Sequence, residues 1–289
     1  MVAREFKTGA TDESNFSPTS SFASVRMLLV FALIFGLAVT ALDIKDAFLT
    51  VPQVEVLYVE IPQWVKERTG KADTHWLLKR CLPGQRNAAL RWHQHFGEIC
   101  EGAGLVAFPG APTIMRHADV NKKIFLNVHV DDILLVCNPV DLQWFQETIG
   151  ATLTMKVDGP HQQGSGEQLM YLKKRITMRE DGILIQPNAT YVPKLVSLLK
   201  VSGRRRKGLP YHATLEAFSP EVAVEAELLD GEQAATFRSG LGLVLYMAMD
   251  RPDIQFAVKL LSSYMSRPTI KSLAALKHLA SYIISRWNA

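Results

Sequence analysis

Two aspartates, Asp131 and Asp132, stand side by side in "NVHVDDILLV" (Asn127–Val136), the most strand-prone run of the chain. The pair constrains the fold more than any other feature, because adjacent carboxylates repel and charged side chains are rarely buried. Strand alternation offers an escape. Ile124, Leu126, Val128 and Val130 fall on one face, and Phe125, Asn127, His129 and Asp131 on the other. The first set is fit to pack on helices. The second is expected to line an open cleft, with Asp131 leaving the strand on its polar side and Asp132 in the turn that follows. A lone D-D at a hairpin is more often a solvated turn than a site, so the pair needs a partner.

"TALDIKDAFL" supplies one, with Leu42 and Ile44 on one face and Ala41, Asp43 and Lys45 on the other. If the two segments are neighbours in one sheet, Asp43 approaches Asp131. Two bare carboxylates 4 Å apart repel by about 4 kcal/mol at an effective dielectric near 20. Protonation or a divalent cation must relieve this, and oxygen-only ligands favour Mg²⁺ or Mn²⁺. Such a site suits phosphoryl transfer with two metals.

The remaining pattern reads as one α+β chain without internal repeats. A helix starting at or near Ser21 and ending near Gly36 is expected, then a strand over Leu37–Ile44. The uncharged run Met27–Leu42 would span about 24 Å if it were all one helix, short of roughly 30 Å of hydrocarbon, so a buried helix followed by a strand is favoured over a membrane span. Ala88, Trp92, Phe96 and Ile99 share helical spacing, with Gly102 and Gly104 closing that helix. Tyr58–Ile61 reads as a short strand, Asp141–Gly150 and Ala189–Leu199 as helices, and "YLKKRITMREDGILIQ" as a hairpin turning at "EDG". From Ala234 onward the chain is helical, with breaks near Pro252 and Pro268. Cys81, Cys100 and Cys137 form no C-x-x-C pair, which predicts reduced thiols, no zinc site and an intracellular, cytoplasmic or nuclear protein. His93 and His95, two apart on a helix, point to different faces. A net charge of +4 permits a polyanionic partner without requiring one.

These segments, in this order, resemble the reverse transcriptase of copia-type LTR retrotransposons over almost the whole chain. "MVAREFK" is similar to that family's L-V-A-R-G-F, and "NFSPTSSFASVRMLL" to its F-S-P-V…S-I-R-x-L-L. "LDIKDAFL" resembles motif A (D-V-K-x-A-F-L), "LKRCLPGQRNAALRW" motif B (L-x-K-x-L-Y-G-L-K-Q-A-P-R-x-W) and "HVDDILLV" motif C (Y-V-D-D-x-L). "LYMAMDRPDIQFAVKLLSSYMSRPT" resembles L-x-Y-x-x-x-T-R-P-D-I-x-x-A-V-x-x-L-S-R-x-M-x-x-P-T, the longest and most specific block.

The resemblance implies a right-hand polymerase. Its palm would be an antiparallel sheet backed by helices, with partial fingers, a thumb and a helical connection-like C-terminal segment. Residues 1–200 would form the reverse transcriptase core, and 201–289 a linker and connection-like segment preceding a missing ribonuclease H. The implied function is RNA-directed DNA polymerisation on an RNA template with a DNA primer and dNTPs, with no membrane and with the rest of a Pol polyprotein as partner. Asp43, Asp131 and Asp132 would be the catalytic carboxylates, and with the carbonyl of Ile44 the ligands of Mg²⁺ or Mn²⁺. Phe48 would exclude a ribose 2′-OH, and Gly84 and Arg86 would face the nucleotide. His129, Lys173, Lys174 and Arg175 would meet nucleic acid, and Lys156 would donate a proton.

The sequence departs from the family at His129 (usually Tyr), Pro83 (Tyr), Ala89 (Pro), Leu90 (Arg), and at Lys173 and Lys174, where the family often has L-G. Met1 falls just after the family's basic fingers segment. That favours the rival reading, a truncated non-catalytic remnant that at most binds nucleic acid. "RRRK" (204–207) reads as a solvated linker ahead of an RNA contact or nuclear signal. A protein anchored by Met27–Leu42 is the third reading.

Overall fold

The computed structural model describes residues 16–70, 75–201, 208–211 and 227–287. "MVAREFK" and "RRRK" lie outside the described residues. The chain divides into two compact units, Met1–Leu172 with Ile176–Leu184, and Lys173–Arg175 with Ile185–Ala289.

In the first unit, helix α1 (Phe22–Phe35) begins at Ser21, whose hydroxyl accepts from the Ser24 amide at 3.1 Å. It ends at Gly36, which takes the left-handed conformation (φ 63°) that glycine adopts without penalty. Val25, Leu28, Leu29 and Ala32 recur at helical spacing and are buried. Strand β1 (Ala38–Ile44) follows at once, as expected. None of the described helices is long and apolar enough to cross a membrane.

After α2 (Ala47–Thr50), β2 (Tyr58–Glu60), α3 (Gln63–Thr69) and β3 (His75–Leu77) comes α4 (Ala88–Gly102). Then follow β4 (Leu105–Phe108), β5 (Ala111–His117), β6 (Phe125–His129), β7 (Asp132–Cys137), α5 (Pro139–Gly150) and β8 (Met155–His161). Six strands form one sheet in the order β4-β5-β6-β7-β1-β8, every pair antiparallel. Leu42, Ile44, Leu126, Val128, Ile133 and Leu135 share a core with Trp92, Phe96 and Cys100 of α4 and with Phe145 and Ile149 of α5. All three cysteines are free and buried, and burial pushes the Cys100 and Cys137 thiols up to about 12.

The polar face of β6 is not the open cleft expected along its length. Phe125 is covered by Phe31 of α1, ring edge to face at 5.4 Å. Asn127 is fully buried, its amide donating to Ser20 Oγ (2.6 Å) and Tyr171 Oη (3.0 Å). The two ends of this face, Phe125 and His129, stay partly accessible. The hairpin turn also sits one residue earlier than expected. Val130 and Asp131 form it, and Asp132 is already the first residue of β7, paired with His129. A two-residue turn fixes that register.

β9 (Gln168–Tyr171), β10 (Lys174–Arg179) and β11 (Gly182–Pro187) form a three-stranded sheet. The expected single strand "YLKKRI" is broken, because Leu172 (φ 47°) and Lys173 (φ 59°) both turn left-handed between β9 and β10. The "EDG" turn stands as predicted, between β10 and β11.

The second unit is helical: α6 (Tyr191–Leu199), α7 (Gly231–Ala248), α8 (Pro252–Ser262) and α9 (Ile270–Ser285). Leu195, Leu199, Phe237, Leu241, Leu261, Leu276 and Ile283 are among its core residues. Asp230 caps α7 through the Gln233 amide (2.8 Å), and Thr269 and Ser272 form a reciprocal capping box on α9. Pro252 opens α8 at a position where its missing N–H costs nothing. Lys174, only 1% exposed, is ion-paired with the equally buried Asp250, donates to the Tyr246 carbonyl (3.4 Å), and lies 4.3 Å from the centre of the Tyr246 ring. The expectation that Lys174 meets phosphate is therefore corrected, since its ammonium is already committed inside the unit.

Candidate active site

The register of the large sheet builds the site. His129 pairs with Asp132, Asp132 with Asp43, and Asp43 with Lys156. Directly opposed residues in antiparallel strands share a face, so one row across β6, β7, β1 and β8 carries an imidazole, two carboxylates and an ammonium. The next row on that face is Asn127, Leu134, Ala41 and Asp158, and the one beyond is Phe125, Val136, Val39 and His161. Polarity thus falls off along the strands toward the part covered by α1. Asp131 sits in the turn beside the first row, its carbonyl accepting from the Ile44 amide at 2.9 Å.

Electrostatics mark the row as strained. Partial burial raises the affinity of Asp132 for a proton, the charges of Asp131 and Asp43 raise it further, and His129 opposes them. Asp43 is exposed, while Asp131 and Asp132 are half-buried. His129 keeps its Nδ1 buried with no hydrogen-bond partner. Among the described residues, no three histidine, cysteine or carboxylate side chains gather tightly enough to hold a metal ion. The donor set itself, three carboxylates of which Asp131 and Asp43 both repel charge on Asp132, fits a hard divalent cation.

The other expected residues are distributed around this row. Ile44 is buried in β1. Phe48, in α2, is half-buried against the core that contains Ile44 and Ala47. Gly84 is exposed and left-handed (φ 94°), a backbone that other residues resist. Arg86 is half-buried. Lys173 is exposed, Lys174 is buried on Asp250, and Arg175 donates to Gln186 Oε1 at 2.9 Å; all three belong to the second unit. The structure therefore brings together Asp43, Asp131, Asp132, His129 and Lys156.

Sequence reasoning missed two supports. Tyr171 Oη donates to the Asn127 carbonyl at 3.1 Å, and its burial keeps the phenol protonated well above the usual range. Gln85, also buried, accepts from the Leu82 amide at 2.7 Å and so braces the loop that carries Gly84. The separation of Tyr171 from Asn127 in sequence gave no local signal; the Gln85 brace spans only three residues and resembles an ordinary turn.

The family profile described as reverse transcriptase (RNA-dependent DNA polymerase) matches residues 1–205. The Retrovirus-related Pol polyprotein from transposon TNT 1-94 of Nicotiana tabacum is 25% identical over 282 residues, covering 96% of this chain and 21% of that protein. The corresponding polyprotein from transposon RE1 of Arabidopsis thaliana is 23% identical over 293 residues, 100% of this chain and 19% of its own length. A putative transposon Ty5-1 protein of Saccharomyces cerevisiae is 23% identical over 84% of this chain and 75% of that protein. The chain thus spans about a fifth of the length of the two plant polyproteins. Among solved structures, a telomerase of Candida tropicalis aligns with 58% of this chain and 40% of its own at 12% identity and a TM-score of 0.32, too low to support a shared fold.

Proposed function

The chain belongs to the reverse transcriptase (RNA-dependent DNA polymerase) family, and from that membership we propose that it is the polymerase domain of a copia-type retrotransposon Pol polyprotein. It would extend a DNA primer on an RNA template from dNTPs. One observation carries the reading: a histidine, two carboxylates and a lysine share a row across four adjacent strands, with a third carboxylate in the turn beside them. The proposal includes a right-hand arrangement, with palm, fingers and thumb within residues 1–200 and a connection-like segment over 201–289.

Asp43 and Asp131 would be the principal holders of Mg²⁺ or Mn²⁺, with Asp132 and the Ile44 carbonyl beside them. When bound, the ions would make the primer 3′-OH a better nucleophile and neutralise charge building on the α-phosphate. The protein's own groups do the positioning. Phe48 would exclude a ribose 2′-OH by bulk. Gly84, lacking a side chain, would admit the nucleotide to the backbone, and Arg86 would meet its triphosphate. Lys156, opposite Asp43, would give a proton to the departing pyrophosphate. His129 would contact the primer end, and Lys173 and Arg175 the nucleic-acid phosphates.

Primer extension on an RNA template with Mg²⁺ tests this. Asp131→Asn is expected to lower extension by about 10³-fold, or about 4 kcal/mol of transition-state stabilisation. Equal metal-dependent extension by variant and parent would refute the site. Salt-sensitive binding of the template–primer with no dNTP incorporation by the parent would select the non-catalytic alternative.

A further inference from the structure

We infer that Trp92 is a positioning residue for the carboxylate hairpin; this deepens the polymerase reading and rests on it. The turn that carries the aspartates is built on a difficult residue. Val130 is β-branched and holds φ 57°, a left-handed conformation that such residues seldom take. Backbone strain of this kind persists only where the surroundings fix it from several directions.

Both turn carbonyls are in fact held. The Trp92 indole Nε1–H donates to the Val130 carbonyl at 2.7 Å, and the Ile44 amide donates to the Asp131 carbonyl at 2.9 Å. One donor comes from α4 and the other from β1, the strand that carries Asp43. Neither donor is free to wander. Trp92 is 1% exposed and packs beside Phe96, ring centres 5.5 Å apart, and Ile44 is buried at the end of β1, paired with Met155 of β8. The indole has a single donor, and it is spent on this carbonyl, so its direction is as constrained as its volume. The two bonds lock the turn against the helix and against β1 together. They thereby set Asp131 and Asp132 relative to Asp43, and a loosened turn would leave the three carboxylates to drift apart under their mutual repulsion.

Trp92→Phe keeps an aromatic ring in the core and removes the N–H. In hydrogen–deuterium exchange, the amides of 129–132 are expected to exchange at least tenfold faster than in the parent, with α4 and β5 unchanged. Mn²⁺ binding, followed by calorimetry, is expected to weaken about tenfold. Adding Val130→Gly, which adopts the turn conformation without the clamp, should return the turn most of the way to parental exchange. Identical turn exchange in parent and Trp92→Phe overturns the inference. Should the variant not fold, the Trp92 indole proton of the parent is followed by NMR instead: slow exchange supports the bond, and exchange as fast as an exposed indole overturns it. These readouts need no turnover, so a parent that extends no primer defeats the polymerase reading while the positioning role is still decided by exchange.

Discussion

The large sheet and the helical unit each contain charges out of full contact with water, and they treat them in opposite ways. In the helical unit, Lys174 and Asp250 are almost completely buried, but each has its countercharge and the lysine has a carbonyl and an aromatic face besides. At the accessible end of the sheet, Asp43, Asp131 and Asp132 share a sign, and partial burial together with the charges of Asp131 and Asp43 raises the proton affinity of Asp132. A satisfied pair asks nothing of its surroundings and belongs to the architecture. An unsatisfied cluster has a standing demand for positive charge, which is the property a cation site needs. Burial alone therefore does not identify a functional charge; the sign of its neighbours does.

Removing one partner of the buried pair should have the largest effect. Lys174→Met removes the buried ion-pair partner of Asp250 and is expected to destabilise the helical unit by about 3–5 kcal/mol, read by chemical denaturation. Lys174→Met with Asp250→Leu should recover most of that loss, because two apolar side chains need no pairing. If single and double variants are equally unstable, the pair is not what holds this region.

The cluster should respond in the opposite sense. Asp132 binds its proton more tightly folded than unfolded, so its contribution is favourable below the unfolded carboxylate pKa, near 3.9, and is lost as pH rises through the raised folded value. At pH 7 the ionised group opposes folding. Asp132→Asn is thus expected to raise the melting temperature by about 2–4 °C at pH 7, with the gain vanishing in acid, while primer extension falls. A variant that melts lower at pH 7 would contradict the picture of frustrated charge.

A third arrangement lies between these extremes and should show the smallest effect. His161 places Nδ1 3.0 Å from Glu167 and Nε2 3.0 Å from Asp158. Burial alone would lower its pKa, but hydrogen bonds to Glu167 and Asp158 and their charges outweigh it, and the net shift is upward. Stability from this link is fully present below the unfolded histidine pKa, near 6.5, and is lost as pH rises through the raised folded value. His161→Gln should remove that pH dependence, changing stability by about 1 kcal/mol or less. A parent whose stability is flat between pH 6 and 8 would show that the link contributes nothing.

What the sequence discloses follows from the range of the interactions involved. The hairpin, the helix from Ser21 to Gly36 and the pairing of Asp43 with the aspartate segment were legible, because alternation, caps and turn residues act within a few positions. The turn was misplaced by one residue, since nothing local says that Val130 will accept a left-handed backbone. Asn127 read as a cleft residue because its partners, Ser20 and Tyr171, lie 107 and 44 positions away. Lys174 read as a phosphate contact for the same reason, its countercharge being 76 positions off, just beyond the end of α7. Both errors took a polar residue for a solvated one when the fold supplies a distant partner.

The three thiols lead to a consequence of another kind. All are buried, and a thiol with a pKa near 12 is ionised in only about one molecule in 10⁵ at neutral pH. Cys81, also raised by burial, donates its proton to Gln53 Oε1 at 3.4 Å. A maleimide should therefore pass over the native cysteines and react with one introduced on the surface. A fluorophore or spin label can then be attached beside the carboxylate row without first stripping the chain of its own sulfur.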